Sequence, residues 1–293
     1  MENKVDEALS FKTKEGQKKF LYTYNQNLKL WDTSFDSFYV HTRFGRTNVI
    51  ASGPISEPPV ILLHGFGFSS AMWYPNVKSL NRNYRVYAVD VIGDLNKSVM
   101  ESPMKGHSDY VLWFCDILDH LNIDKATVIG HSAGGWQTLN IAINAPERMN
   151  KMILLAPAAS FVPFRKQFFV RQISSILFPF RPVVIDFVGK WFVAKGNTVN
   201  ESLFEQFYLG IKHFRFSKII IPSVFKDEEL QKIDIPVLLL IGDKEVIYDP
   251  NQVIARALKL IPKLKFKIIP NAGHALSIEK AHLVNEEILN FLE

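Results

Sequence analysis

The chain has 293 residues, 47% of them hydrophobic and 22% charged, enough to bury a large core and far from the makeup of a disordered chain. The net charge of +5 admits anionic substrates or membrane surfaces but does not by itself point to nucleic acid. The one cysteine, Cys115, excludes an intrachain disulfide, and the run Trp113-Phe114-Cys115-Asp116-Ile117 reads as the inner face of a helix in which the thiol is a small buried hydrophobe.

The opening residues, MENKVDEALSFKTKEGQKKF, are polar and mixed in charge, with no apolar stretch of the kind a secretory signal needs. Elsewhere the most apolar region, about 161–193, is interrupted by Arg165, Lys166, Arg171, Arg181, Asp186 and Lys190, so no uncharged run approaches the roughly 18 residues of a membrane span. A cytoplasmic protein is the expectation. Residues 1–35 read as an N-terminal arm, helical from Lys18 to Trp31. Phe38–Val40 and Thr47–Ala51, separated by Phe44-Gly45-Arg46, read as a hairpin at a sheet edge.

From residue 60 onward the pattern changes. Val60–Leu63 is a short, continuous apolar run, typical of a strand buried on both faces. Similar runs recur at Val86–Val89, Thr127–Ile129, Met152–Leu155, Val237–Ile241 and Phe266–Ile269. Helical periodicity fills most intervals, at Ala71–Leu80, Tyr110–Leu121, Gly135–Asn144, Gln252–Leu260 and Glu279–Leu292. Strand alternating with helix implies an α/β fold with a mostly parallel sheet and helices on both faces. The interval 158–232 breaks the alternation: it lacks a comparable strand and holds thirteen of the 23 phenylalanines. It reads as a helical cap inserted into a core of residues 36–157 and 233–293, lying over the carboxyl ends of the strands, where open α/β sheets bind ligands.

Three segments carry the chemistry. Gly130-His131-Ser132-Ala133-Gly134 matches G-x-S-x-G between a strand and a helix, a turn so sharp that a Cβ at either glycine would meet neighbouring backbone. The pattern makes Ser132 a nucleophile held above the sheet. His64-Gly65-Phe66-Gly67 follows the strand 60–63; its Phe66 N–H, together with that of Ala133, is positioned to hold an oxyanion. The same loop, read as Gly65-Phe66-Gly67-Phe68-Ser69-Ser70 with Asp90 coming 23 residues after Gly67, mimics a dinucleotide-binding fingerprint. Ser70 in place of the third glycine weighs against that reading, which also leaves Ser132 and His274 without a role. Asp90 is then expected to cap the loop after its strand.

Asn271-Ala272-Gly273-His274 lies just past the last strand. The order serine, acid, histidine on successive strand ends makes His274 the general base, with Gly273 giving its loop freedom. The acid belongs in Ile241-Gly242-Asp243-Lys244-Glu245. Spacing favours Glu245, Asp243 is the alternative, and Asp249 stands further off. His131 is expected to pack or hydrogen-bond beside the serine turn rather than react, and Asp116 and Asp119 to be solvated helix residues. No metal-ligand or phosphate-loop motif occurs, so neither metal nor cofactor is expected.

On these segments the chain resembles the α/β-hydrolase superfamily, from about Phe38 to its end. It is similar in particular to capped bacterial carboxylesterase-like serine hydrolases, as Leu28-Lys29-Leu30-Trp31 and Thr42-Arg43-Phe44-Gly45 suggest. The resemblance implies an eight-stranded sheet, a cap and cofactor-free hydrolysis of a small-molecule carboxylic ester. A thioesterase, a lactonase, a carbon–carbon bond hydrolase or a slow-turnover receptor would use the same residues. The sequence departs from the family in carrying Glu245 where aspartate is common. It departs again in Ile92-Gly93-Asp94-Leu95-Asn96-Lys97-Ser98, which replaces the usual glycine- and histidine-containing loop and is expected to reshape the pocket floor. From Phe161 to Phe225 nine Lys or Arg face three acids. An amphipathic lid with a Phe face and a basic, solvated face is the plain reading; contact of the basic cap with an anionic membrane is the sharper one.

Overall fold

The computed structural model describes residues 10–215 and 220–293. The beginning of the arm and Lys218, one of the nine basic residues of the insertion, lie outside the described residues. In chain order the elements are α1 (Lys14–Leu28), β1 (Phe35–Thr42), β2 (Gly45–Ser52), β3 (Pro59–Leu63), α2 (Val77–Leu80), β4 (Arg85–Val89), β5 (Val99–Met100), α3 (His107–His120), β6 (Ala126–His131), α4 (Ala133–Asn144) and β7 (Met149–Leu155). Then come α5 (Lys166–Leu177), α6 (Arg181–Phe192), α7 (Glu201–His213), α8 (Asp227–Leu230), β8 (Val237–Gly242), α9 (Pro250–Leu260), β9 (Leu264–Ile269), α10 (Leu276–Glu279) and α11 (Ala281–Leu292).

The strands form one sheet in the order β1-β2-β4-β3-β6-β7-β8-β9, with β5 paired to β2. From β4 to β9 neighbours are parallel, while β1–β2, β2–β4 and β2–β5 are antiparallel. The eight expected strands are present; the ninth is the two-residue β5, too short to leave a periodic signal. Strand β6 and strand β8 are buried along their whole length, so both faces of the sheet centre are covered, as the unbroken apolar run of β8 requires.

Two readings are corrected at the sheet margins. Phe266–Ile269 is not a doubly buried strand: β9 ends the sheet, and Phe266 and Ile268 are 41% and 42% exposed. Within the hairpin only β1 is an edge strand, because β2 also pairs with β4. Cys115 is half-buried rather than enclosed; its neighbours Trp113, Phe114 and Ile117 occupy the inner side of α3. Ala71–Leu80 forms a four-residue 3-10 turn, Ser70–Trp73, followed by the single-turn α2.

Helix α1 begins earlier than its apolar periodicity suggests, because the Thr13 side chain accepts the Gly16 N–H at 3.0 Å and caps it. It joins two parts of the molecule. Asn27 donates to Gln206 of α7 at 2.6 Å, while the Tyr24 hydroxyl donates to the buried Asp90 at 2.9 Å. Burial and the adjacent Asp90 carboxylate push the Tyr24 phenol well above its usual pKa.

Candidate active site

The carboxyl ends of β3, β6, β7 and β8 lie in register, Leu63 beside Gly130 and His131 beside Leu155, so the loops that follow them meet above one edge of the sheet. The first of these is the turn from β6 into α4. Ser132 sits at φ 53°, ψ −116°, a conformation L-residues rarely adopt, and is held there by its own N–H to the Leu155 carbonyl (2.9 Å) and by its carbonyl, which accepts Trp136 N–H and Ala158 N–H (both 3.0 Å). The flanking glycines are dictated by space. A Cβ on Gly130 would stand 2.3 Å from the Gly134 carbonyl oxygen, and one on Gly134 would stand 2.1 Å from that of Leu63.

His274 lies in the loop between β9 and α10. Its Nε2 is 2.8 Å from Ser132 Oγ and its Nδ1 is 2.6 Å from Glu245 Oε2, in fully buried side chains. A carboxylate only accepts, so Nδ1 carries the proton and Nε2 is left free to accept the serine hydroxyl. Glu245 Oε1 takes the Ile247 N–H at 2.8 Å, which fixes the carboxylate plane. Asp243, the alternative acid, does not reach the imidazole: it accepts Ala272 N–H at 3.3 Å and pairs with Lys244 at 3.2 Å. Asp249 instead caps α9 by accepting the Asn251 N–H at 3.0 Å.

The histidine loop is gripped from several sides. Nε2–H of His131 donates to the His274 carbonyl at 2.8 Å, and the Phe192 ring stands edge-on to the imidazole at 5.3 Å. His131 is therefore a support beside the turn, as its position suggested, and burial drives its pKa down to about 3, leaving it neutral. Glu279 was not foreseen. Its Oε1 accepts Gly273 N–H (3.0 Å) and its Oε2 accepts Ala194 N–H (2.8 Å) and Asn197 Nδ2 (2.7 Å), tying the histidine loop to the end of α6. Gly273 has no left-handed φ; it is small because a Cβ would meet Ala194 N at 2.8 Å, so close approach, not loop freedom, accounts for it.

The loop after β3 closes the other side. His64 Nε2 accepts Val91 N–H at 2.9 Å, so Nδ1 carries the proton and donates to Gly65 O at 2.9 Å. Asp94 Oδ1 accepts Gly67 N–H (3.0 Å) and Leu95 N–H (2.7 Å). Burial raises the Asp94 carboxyl to about pKa 6, against the two amides, which favour its charged form. The N–H groups of Phe66 and Ala133 have no acceptor among the described residues, and both residues line the same cavity as Ser132. Asp90 is enclosed, accepting from Ser70 N–H at 2.8 Å, Tyr24 OH and Asn48 Nδ2, so the dinucleotide layout offers no free carboxylate, and its glycines are followed by a four-residue 3-10 turn and the single-turn α2 rather than by a long helix.

The cavity holds about 220 Å³. Its wall is largely aromatic and aliphatic, from Phe164, Phe168, Phe192, Trp136, Met100 and Met104. Gly93 and Asp94, from the loop that departs from the family's usual one, are among the residues lining it. Gln137, also unforeseen, lines it with a buried Oε1 that has no partner among the described residues.

Residues 58–184 match the family model described as the alpha/beta hydrolase fold. A Bacillus subtilis carboxylesterase named nap, itself described as uncharacterised, is 40% identical over 93% of this chain and 92% of its own length. The carboxylesterase YbfK of the same organism is 36% identical over 98% of each chain. The crystal structure of naproxen esterase from B. subtilis superposes with a TM-score of 0.91, covering 96% of this chain and 100% of its own. The chain belongs to the α/β-hydrolase family, among its carboxylesterase-like members.

Proposed function

We propose that this protein is a carboxylic ester hydrolase in which Ser132 attacks the carbonyl, His274 is general base and Glu245 orients the imidazole. The single observation that carries the reading is the unbroken chain of contacts from Ser132 through His274 to Glu245, at 2.8 and 2.6 Å, in buried side chains. His274 takes the serine proton at Nε2 as the Oγ–carbonyl bond forms, and Glu245 stabilises the imidazolium. The developing oxyanion accepts the free N–H groups of Phe66 and Ala133, each donor contributing roughly 3–4 kcal/mol in the transition state. Collapse expels the alcohol, which takes the proton back from Nε2, and water repeats the sequence to release the acid.

The helices α5–α8, inserted between β7 and β8, are the cap, with their connecting loops completing 158–232. The apolar cavity favours esters with a hydrophobic acyl group or alcohol. The carboxylesterase names of the relatives support an ester over a thioester, a lactone or a carbon–carbon bond. Hydrolysis of p-nitrophenyl esters from acetate to palmitate, with Ser132→Ala as control, tests the proposal. Turnover should fall by about six orders of magnitude in the variant. Equal rates for the two proteins on every ester would overturn it.

A further inference from the structure

Helix α5 has two apolar sides, and only one of them is packed. Phe168 and Ser175 point inward and are buried. Phe169, Val170, Ile173 and Leu177 recur at helical spacing on the opposite side, and Val170 and Leu177 are 60% and 66% exposed. The apolar surface continues past the helix through Phe178 and Phe180, 59% and 66% exposed. Isolated exposed apolar residues are ordinary, but a continuous stripe of six marks a surface that meets something. This stripe reaches the cavity: Phe169 and Ile173 belong to both, and the exposed Ile221 lines the cavity with them.

The charges beside the stripe specify the partner. Arg165, Lys166 and Arg171 are exposed, and none has a carboxylate at ion-pair distance among the described residues. Arg165 caps α5 and Lys166 opens it, at the end of the helix where the macrodipole disfavours cations, so they do not serve the helix's own stability. A second copy of the chain docked face to face would set these cations against their equivalents. An anionic bilayer surface neutralises them and accepts the apolar stripe at the boundary between headgroups and acyl chains.

We propose that α5 and the Phe178–Arg181 turn dock on an anionic phospholipid surface, with the stripe inserted and the cavity mouth facing the bilayer. The docking does not require the hydrolytic reading; that reading adds only that esters dissolved in the membrane would enter directly.

The test is sedimentation of the full chain with vesicles of phosphatidylcholine alone and of equimolar phosphatidylcholine and phosphatidylglycerol. Binding to the anionic vesicles is expected, with little to the neutral ones. It should weaken at least tenfold as salt rises from about 0.05 to about 0.5 M and the Debye length contracts to about 4 Å. Each basic residue at such a surface contributes about fivefold, so K166E/R171E should bind at least about 25-fold more weakly. L177D/F180D, changed at exposed positions outside the cavity, should lose vesicle binding while keeping the wild-type melting temperature and p-nitrophenyl acetate hydrolysis. Ser132→Ala should bind vesicles like wild type, which separates this test from that of the catalytic residues. Absence of binding at low salt, equal binding to neutral vesicles, or a dimer that L177D/F180D turns into a monomer would each overturn the proposal.

Discussion

Replacing Glu245 by glutamine changes the charge of the group facing His274 with the least change in shape. The carboxamide oxygen can still take the Ile247 N–H now accepted at 2.8 Å, which turns the amide NH2 toward His274 Nδ1, 2.6 Å from the present Oε2. Two donors cannot face each other, so the imidazole must move its proton to Nε2, where it points at Ser132 and cannot accept. The imidazolium formed during attack also loses a partner whose charge lies roughly 4 Å away, an interaction of about 4 kcal/mol at an effective dielectric constant near 20. That alone is about 10³ in rate, and the wrong tautomer brings the loss to about 10⁴. Asp243→Asn, which alters a carboxylate bound to Ala272 and Lys244, should stay within about twofold of wild type. The assay is kcat/KM on a p-nitrophenyl ester, with melting temperature as the check on folding. A Glu245→Gln protein keeping a tenth of wild-type activity, or an Asp243→Asn protein losing a thousandfold, would refute the assignment of the acid.

Three further predictions concern the surroundings. Gly134→Ala places a Cβ 2.1 Å from the Leu63 carbonyl oxygen and 2.7 Å from that of His64. It should cost about 1–3 kcal/mol and lower both melting temperature and kcat; unchanged values would show that the backbone yields freely. His131, with its folded pKa lowered to about 3 from 6.5, binds a proton more readily in the unfolded chain. Stability from this group is complete above pH 6.5 and declines by up to about 1.4 kcal/mol per pH unit as pH falls toward 3. His131→Gln should therefore flatten the decline in melting temperature between pH 6.5 and 4, and an identical profile would count against a neutral buried histidine. Asp94 has the opposite sign. Its folded pKa, raised from 3.8 to about 6, makes the native state the better proton binder, so stability falls by up to about 3 kcal/mol as pH rises through that window. Asp94→Asn keeps the one oxygen that receives both amides, so its melting temperature relative to wild type should rise from pH 4.5 to 7.5; a constant difference would sink the idea.

The residues alone determined a great deal here, wherever the determining physics is local. The turn around Ser132 announces itself because Gly130 must leave room for the carbonyl of Gly134, four residues further along the same turn. The parallel sheet announces itself because β8, covered on both faces, is apolar from Val237 to Ile241, with no alternation of polar residues along it. Tertiary structure decided whatever depends on distances across the fold. Asp243 and Glu245 are equally acidic and both follow β8, but only the orientation of that loop against a histidine 29 residues away brings one of them to 2.6 Å. Glu279 and Asp94 were illegible for the same reason, since a lone carboxylate acquires its meaning from backbone amides supplied by other segments. Likewise the alternation of Phe266 and Ile268 with lysines records a β-strand, but not that β9 is the last of its sheet, because a missing neighbour leaves no mark in the strand that lacks it.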